Sequence, residues 1–362
     1  MMTMFKKTLL GAAIALVATG VTAKEVGVNS DFNVDVYGVA AISLVNYNVT
    51  DNGDKSTGFV VENESRIGFR AHKEMFENVL ITMQIESGYV DSTDWPHGGV
   101  SGGVLGFRDT FIGASGDWGN VRVGRVLTPL YEMVDWPFSN PGLGSVFDWG
   151  GIAGHYDRQS NQVRYDSPKF GGFSFAASVG RDDNDNGGGV ATRDANFFGA
   201  NAKYSFEKVT FMGAVESGTR VTGAVEEHYV FDSETGDKKL VEASAAKKDD
   251  AFAYLVGFEA SLPAGFGIAA AYKGEELGNT TQDSYSVIGQ YWNGPIGFKL
   301  GYAANLESET SGKTDKDSDS NTISGQLMAV HNGFVPYLRV AGRTVGAADT
   351  DIVTRIGLEY GF

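Results

Sequence analysis

A chain of 362 residues with 45 acidic and 29 basic side chains, formally −16 at neutral pH, lacks the clustered positive charge needed to hold a phosphate backbone, so nucleic acid is excluded as a partner. It has no cysteine, so disulfides do not stabilise it. Its 49 glycines and hydrophobic content of 42% fit a sheet around a wet centre better than a dry sandwich core.

The chain opens with Lys6 and Lys7, an apolar run from Leu9 to Val17, and Val21-Thr22-Ala23. This is the layout of a secretory leader, and it predicts cleavage before Lys24. Removing two lysines leaves 27 basic against 45 acidic side chains, a formal charge of −18 over residues 24–362. The apolar run is shorter than the roughly twenty residues a membrane helix needs, and no later run reaches about eighteen, so a transmembrane helix is not expected.

From Asp35 onward, short segments alternate apolar and polar side chains with the period of half-buried strands. They are predicted at Asp35 to Val49, around Arg66 to His72, and over Val79 to Glu86, Leu105 to Ala114, Asn120 to Val126, Arg158 to Asp166, Gly172 to Gly180 and Ala195 to Phe206. The series continues with Val209 to Ser217, Ala251 to Leu262, Phe266 to Lys273, Ser284 to Trp292, Ile296 to Asn305, Asn321 to Val330, Phe334 to Val345 and Asp351 to Phe362, sixteen in all. Short turns such as Glu207-Lys208 and Asn332-Gly333 alternate with long connections such as 91–104, 181–193, 218–250, 275–282 and 307–319. An even number of such strands, with short turns at one rim and long loops at the other, is the layout of an all-β, antiparallel transmembrane barrel. The last strand puts Ile352, Thr354, Ile356, Leu358, Tyr360 and Phe362 on one face, which suits an aromatic girdle at a membrane rim.

Thr128 to Arg158 breaks the alternation. A connection of about thirty residues is far above the usual length, so it is functional or disordered, and its two Trp, two Phe and two Tyr argue against disorder. It carries Glu132, Asp135 and Asp148, while the polar faces of nearby strands carry Arg66, Arg108, Arg122, Arg158 and Arg164. If those faces line a barrel and the loop folds inward, acids meet arginines across a charged constriction. Lumen lining is the better reading of the arginines, since a lipid-facing charge near the bilayer midplane costs about 2 to 4 kcal/mol. Trp136, Trp149 and Tyr131, with Trp95 from an earlier loop, are candidate surfaces for sugar rings, although packing is the commoner aromatic role.

Other motifs carry less. Asp182 to Gly187 matches half of a calcium loop, but Arg193 stands where a bidentate Glu is required, so a solvated acidic loop is the better reading, with a weak divalent site bridging lipopolysaccharide as the alternative. Gly312-Lys313-Thr314 lacks the first glycine and the strand-to-helix setting of a phosphate loop. The five histidines show no metal-ligand spacing, no cofactor is implied, and no nucleophile has a sequence-supported base, so an enzyme is not expected.

Four runs carry a resemblance: DVYG at Asp35 to Gly38, GNVRVGRVLTPLY at Gly119 to Tyr131, VRYDSPKFGGFSFAASVG at Val163 to Gly180, and the terminal GLEYGF. They resemble the trimeric porins of Gram-negative bacteria, nearest to those of the neisserial and Burkholderia kind. The resemblance implies a sixteen-stranded barrel in the outer membrane among lipid and lipopolysaccharide, a homotrimer, and a third loop folded into the lumen. It places Arg66, Arg108 and Arg158 in the family's arginine wall, with Arg122 further along the same face. Two departures stand out: Val39 replaces the lysine that follows the opening glycine in enteric porins, and Asn140-Pro141-Gly142-Leu143-Gly144 replaces the enteric loop motif. The implied function is passive diffusion of small hydrophilic solutes and ions. An oligosaccharide-selective pore using the loop tryptophans is the alternative, and a barrel enzyme or adhesin a distant one.

Overall fold

The computed structural model describes residues 32–51, 54–88, 105–139, 146–152, 154–181, 195–222, 227–231, 238–241, 243, 245 and 247–362. The expected leader, Trp95, the Asp182 to Asp185 loop and the Asn140 to Gly144 motif lie outside the described residues.

Sixteen antiparallel strands close into one barrel. The first, β1 (Asn33–Asp51), pairs with both β2 and the last strand. β2 runs as two segments, Asp54–Asn63 and Arg66–Phe76, in one register against β1, with Ile42 opposite Asn63 and Val39 opposite Arg66. There follow β3 (Val79–Gly88), β4 (Thr110–Gly116), β5 (Gly119–Leu127), β6 (Arg158–Asp166), β7 (Phe173–Arg181) and β8 (Asn196–Phe206). Next come β9 (Val209–Thr222), β10 (Lys247–Ser261), β11 (Phe266–Leu277), β12 (Thr280–Asn293) and β13 (Ile296–Asn305). β14 (Ser320–Ala329), β15 (Phe334–Val345) and β16 (Asp351–Gly361) complete the sheet. The seam joins β1 to β16, from Val39 opposite Gly361 to Asn48 opposite Ile352, and Gly38 and Phe362 exchange backbone hydrogen bonds of 2.9 and 3.0 Å.

The burial pattern is inverted relative to a water-soluble sheet. On β14, Thr322 is 1% exposed and Ile323 56%, and the alternation continues through Ser324, Gln326 and Leu327. Polar side chains inside and bare aliphatics outside are what a lipid-facing wall around a polar interior requires.

Two expected boundaries shift. The strand predicted from Leu105 begins only at Thr110, because Gly106 adopts φ +90° and turns the chain, which takes Arg108 off the ladder. The long connection predicted over 275–282 is a tight hairpin instead: β11 runs to Leu277 and β12 starts at Thr280. Glu275 and Gln282 read as loop residues because they are polar, yet both are buried and bond the 128–158 segment.

That segment contains two short helices, α1 (Pro129–Asp135) and α2 (Val146–Trp149). Thr128 caps α1, its hydroxyl accepting from the Tyr131 N–H at 3.3 Å, and Pro129 supplies the fixed φ of a first turn. Leu130, Met133, Val134, Phe138 and Phe147 bury themselves against Met212, Ala214, Ala253, Leu255, Ala269, Ala271 and Ala303. Those wall residues alternate with the exposed Phe211, Val215, Tyr254, Val256 and Tyr272, so the segment covers the face opposite the bare one. The alanines give it room, and each large side chain buried there contributes about 1.5 to 3 kcal/mol.

Candidate functional site

Polar ties fix the segment along its length. Asn201 Nδ2 donates to the Pro129 carbonyl at 2.7 Å, Ser286 Oγ to that of Phe138 at 2.7 Å, and Asn305 Nδ2 to that of Val146 at 2.9 Å. Near its end, Glu275 accepts from the His155 N–H at 3.2 Å and meets the His155 ring at 2.5 Å, while its other oxygen lies 2.9 Å from Lys273 Nζ. Both side chains of that Lys273–Glu275 pair are 1% exposed. Glu216 accepts from the Tyr156 N–H at 2.6 Å and so holds the root of the segment.

The predicted arginines gather on the wall it faces, and each of four has a carboxylate at hand. Arg108 Nε lies 2.6 Å from Glu86, Arg158 Nε 2.6 Å from Asp109, and Arg122 Nη2 2.6 Å from Asp166. Arg164 bridges Asp166, at 2.7 Å, and Glu132, which also takes Lys203 Nζ at 3.1 Å. A register shift between Gly124 and Val126 sets Arg158 opposite Leu127, a residue packed on the loop cluster, so Arg158 shares that inner face. Gly124 takes φ +138° at this bulge, and a Cβ there would stand 2.5 Å from the Thr110 carbonyl.

The three candidate acids separate. Burial raises the Glu132 carboxyl, but Arg164 and Lys203 override it and hold it at about 2. Asp135 lies within electrostatic reach of the arginines: desolvation raises its carboxyl against the pull of Arg108, Arg158 and Arg66. Asp148 is buried away from them, hydrogen-bonded to Tyr131, and burial followed by the Asp135 carboxylate pushes it up to about 7 against the pull of Lys273. Asp109, Glu86, Asp166 and Lys203 escaped sequence reasoning, which weighed charge only on the loop and on the arginines. Period two on β3, β6 and β8 puts Glu86, Asp166 and Lys203 on the arginine face and was the signal available.

Asp148 makes the site sensitive to pH. Its folded-state value lies above the roughly 3.9 of an unfolded chain, so ionisation penalises the docked segment; the penalty is absent below about pH 4 and complete above about pH 7. Protonation also removes one negative charge. The reversal potential in a salt gradient should therefore shift toward anions between pH 8 and pH 5, and Asp148→Asn should flatten that difference. An unchanged step in the variant would assign it to another group.

Of the candidate aromatics, Tyr131 is 6% exposed and stacks on His155 with centroids 5.8 Å apart, so its ring is packing. Trp149 ends α2, and its side chain is outside the described residues. Trp136 is half-buried just past α1, with Lys299 Nζ 4.4 Å from its ring centre. Beside it lies a recess lined by Pro137, Glu259, Ala269, Ile288, Gln290 and Lys299.

Comparison with known proteins gives concordant results. A family described as Gram-negative porin matches residues 11–331. A chitoporin of Vibrio furnissii is 73% identical over 365 residues, covering 99% of each chain. The major outer membrane protein P.IB of Neisseria sicca is 28% identical over 77% of each chain. Among solved structures, the trimer form of OmpT from Vibrio cholerae superposes with a TM-score of 0.68 at 14% identity, covering 92% of this chain and 100% of that one.

Proposed function

Because this chain belongs to the Gram-negative porin family, whose members are outer-membrane β-barrel channels, we propose that its pore is selective for chito-oligosaccharides, with general diffusion of small hydrophilic solutes and ions as the second reading. The 73% identity to the Vibrio furnissii chitoporin, over nearly the whole of both chains, carries this reading.

In this reading the face covered by 128–158 is the lumen, and the loop narrows it. The pairing of arginines with carboxylates supports a neutral solute. A guanidinium has five N–H donors, and Arg108 and Arg158 each spend only Nε on their carboxylates, so their remaining N–H groups can meet hydroxyl and amide oxygens while the net charge is answered locally; Arg164, fully bonded and buried, is structural. Ions meet a field that changes sign over a few ångströms, and sugars meet a ladder of donors and acceptors.

Titrating chitohexaose and maltohexaose into one open channel in a planar bilayer tests the proposal. Chitohexaose should produce resolved blocking events at micromolar concentration and maltohexaose should not. If neither sugar interrupts the current at millimolar concentration, the general-diffusion reading replaces this one.

The same reading makes the protein a homotrimer, its remaining bare aliphatic face meeting lipid and lipopolysaccharide. Unheated protein should migrate on a denaturing gel at about three times the monomer mass and collapse to one band on boiling. A monomer band under mild detergent counts against assembly.

A further inference from the structure

The recess beside Trp136 has a composition that a plain polyol does not call for. It is small and open to solvent, with room for a group of a few atoms rather than a whole sugar ring. Pro137, Ala269 and Ile288 form an apolar part, with Ala269 9% and Ile288 6% exposed. Glu259, Gln290 and Lys299 supply three polar groups around it. The Gln290 carbonyl oxygen accepts from Trp292 Nε1 at 3.5 Å, and its NH₂ donates to no protein group among the described residues. Gly267 makes room for that amide, since a Cβ there would stand 2.8 Å from Gln290 Nε2.

One small group matches this pattern: an acetamide, with a methyl for the apolar part, a carbonyl that accepts and an N–H that donates. We infer that this recess reads the acetamido group of N-acetylhexosamine units while their rings lie along Trp136, so that it sets the preference for N-acetylated over plain β-linked glucose chains. The methyl sits on Ala269, Ile288 and Pro137, the carbonyl accepts from Gln290 Nε2 and Lys299 Nζ, and the N–H donates to Glu259. A hydroxyl in the acetamide's place reaches none of the apolar part and leaves one of these polar groups unsatisfied, which is how a site built to hydrogen-bond one substituent rejects its analogue. This assignment rests on the chito-oligosaccharide reading above and specifies which part of the sugar is recognised.

Chitohexaose and cellohexaose share the β-1,4 linkage and differ at the acetamido position, so their block durations in one channel isolate it. In the unmodified channel chitohexaose should block at least about tenfold longer than cellohexaose, as expected for one charge-assisted hydrogen bond plus a buried methyl. Glu259→Gln keeps the volume and Glu259→Leu removes the acceptor; the leucine variant should lower the ratio about tenfold, mostly through shorter chitohexaose blocks, with conductance and cellohexaose blocks unchanged. A cellohexaose block as long as that of chitohexaose in the unmodified channel overturns the assignment without any variant, as does a ratio that survives Glu259→Leu. If chitohexaose does not block at all, the sugar reading falls and this one with it.

Discussion

Replacing Glu275 with leucine should cost about 3 to 5 kcal/mol and release the 128–158 segment from the wall, seen as a lower Tm and a rise in single-channel conductance. The reason is the company it keeps. Its side chain is 1% exposed, 2.9 Å from the equally buried Lys273 ammonium and against the His155 ring, and it accepts the His155 backbone N–H. Removing it strands a buried cation, which is far more costly than the pair is worth. The double replacement Lys273→Met with Glu275→Leu should recover most of the lost stability, since no lone charge remains. The strand ladder should persist in both, because the pairing of β11 with β10 and β12 is made by backbone. A single variant with unchanged Tm and conductance would mean that the apolar cluster alone holds the segment.

Replacing Trp136 with alanine should shorten chitohexaose blocking events about tenfold while leaving the open-channel current nearly unchanged. An aromatic face covered by a sugar ring is worth about 1.5 kcal/mol, which is a factor of about ten in dissociation. The residue is well placed for it: it follows α1, its backbone N–H donates to the Glu132 carbonyl at 3.2 Å, and Lys299 Nζ lies 4.4 Å from its ring centre. Conductance is insensitive because the segment stays anchored through Phe138 and Val146. If the variant keeps the unmodified block duration, the platform is elsewhere and Trp136 serves to position Lys299.

The barrel was legible from residues alone because inward and outward faces differ in chemistry along every strand, and period two survives twist and tilt. The same alternation put Arg122 and Arg164 on one face of their strands, whereas Arg108 sits in a turn rather than in the strand predicted for it. Two things were hidden. Strand ends near the long connections, such as Glu275 and Gln282, carry polar residues whose partners come from a distant segment, and local pattern reads them as loop. The sorting of the acids was also hidden: Glu132, Asp135 and Asp148 lie within one run of sequence, but a helical turn sets the first on Arg164 and the second within electrostatic reach of Arg66, Arg108 and Arg158. The sequence signal for that helix is Thr128-Pro129, a hydroxyl cap ahead of a proline in the first turn.

The seam between β1 and β16 bears on how the molecule comes into being. Asp351 Oδ1 accepts the Thr50 N–H across a separation of 301 residues, and the Gly38 notch that seats the Phe362 ring would be closed by a single Cβ, 2.7 Å from that ring. Every other joint links strands that follow one another in the chain; this one joins the first to the last. Without it the sheet is a ribbon with two raw margins of unpaired amides, intolerable in hydrocarbon. The spanning barrel therefore requires its last strand, and a chain that ends short of β16 has no way to close the sheet.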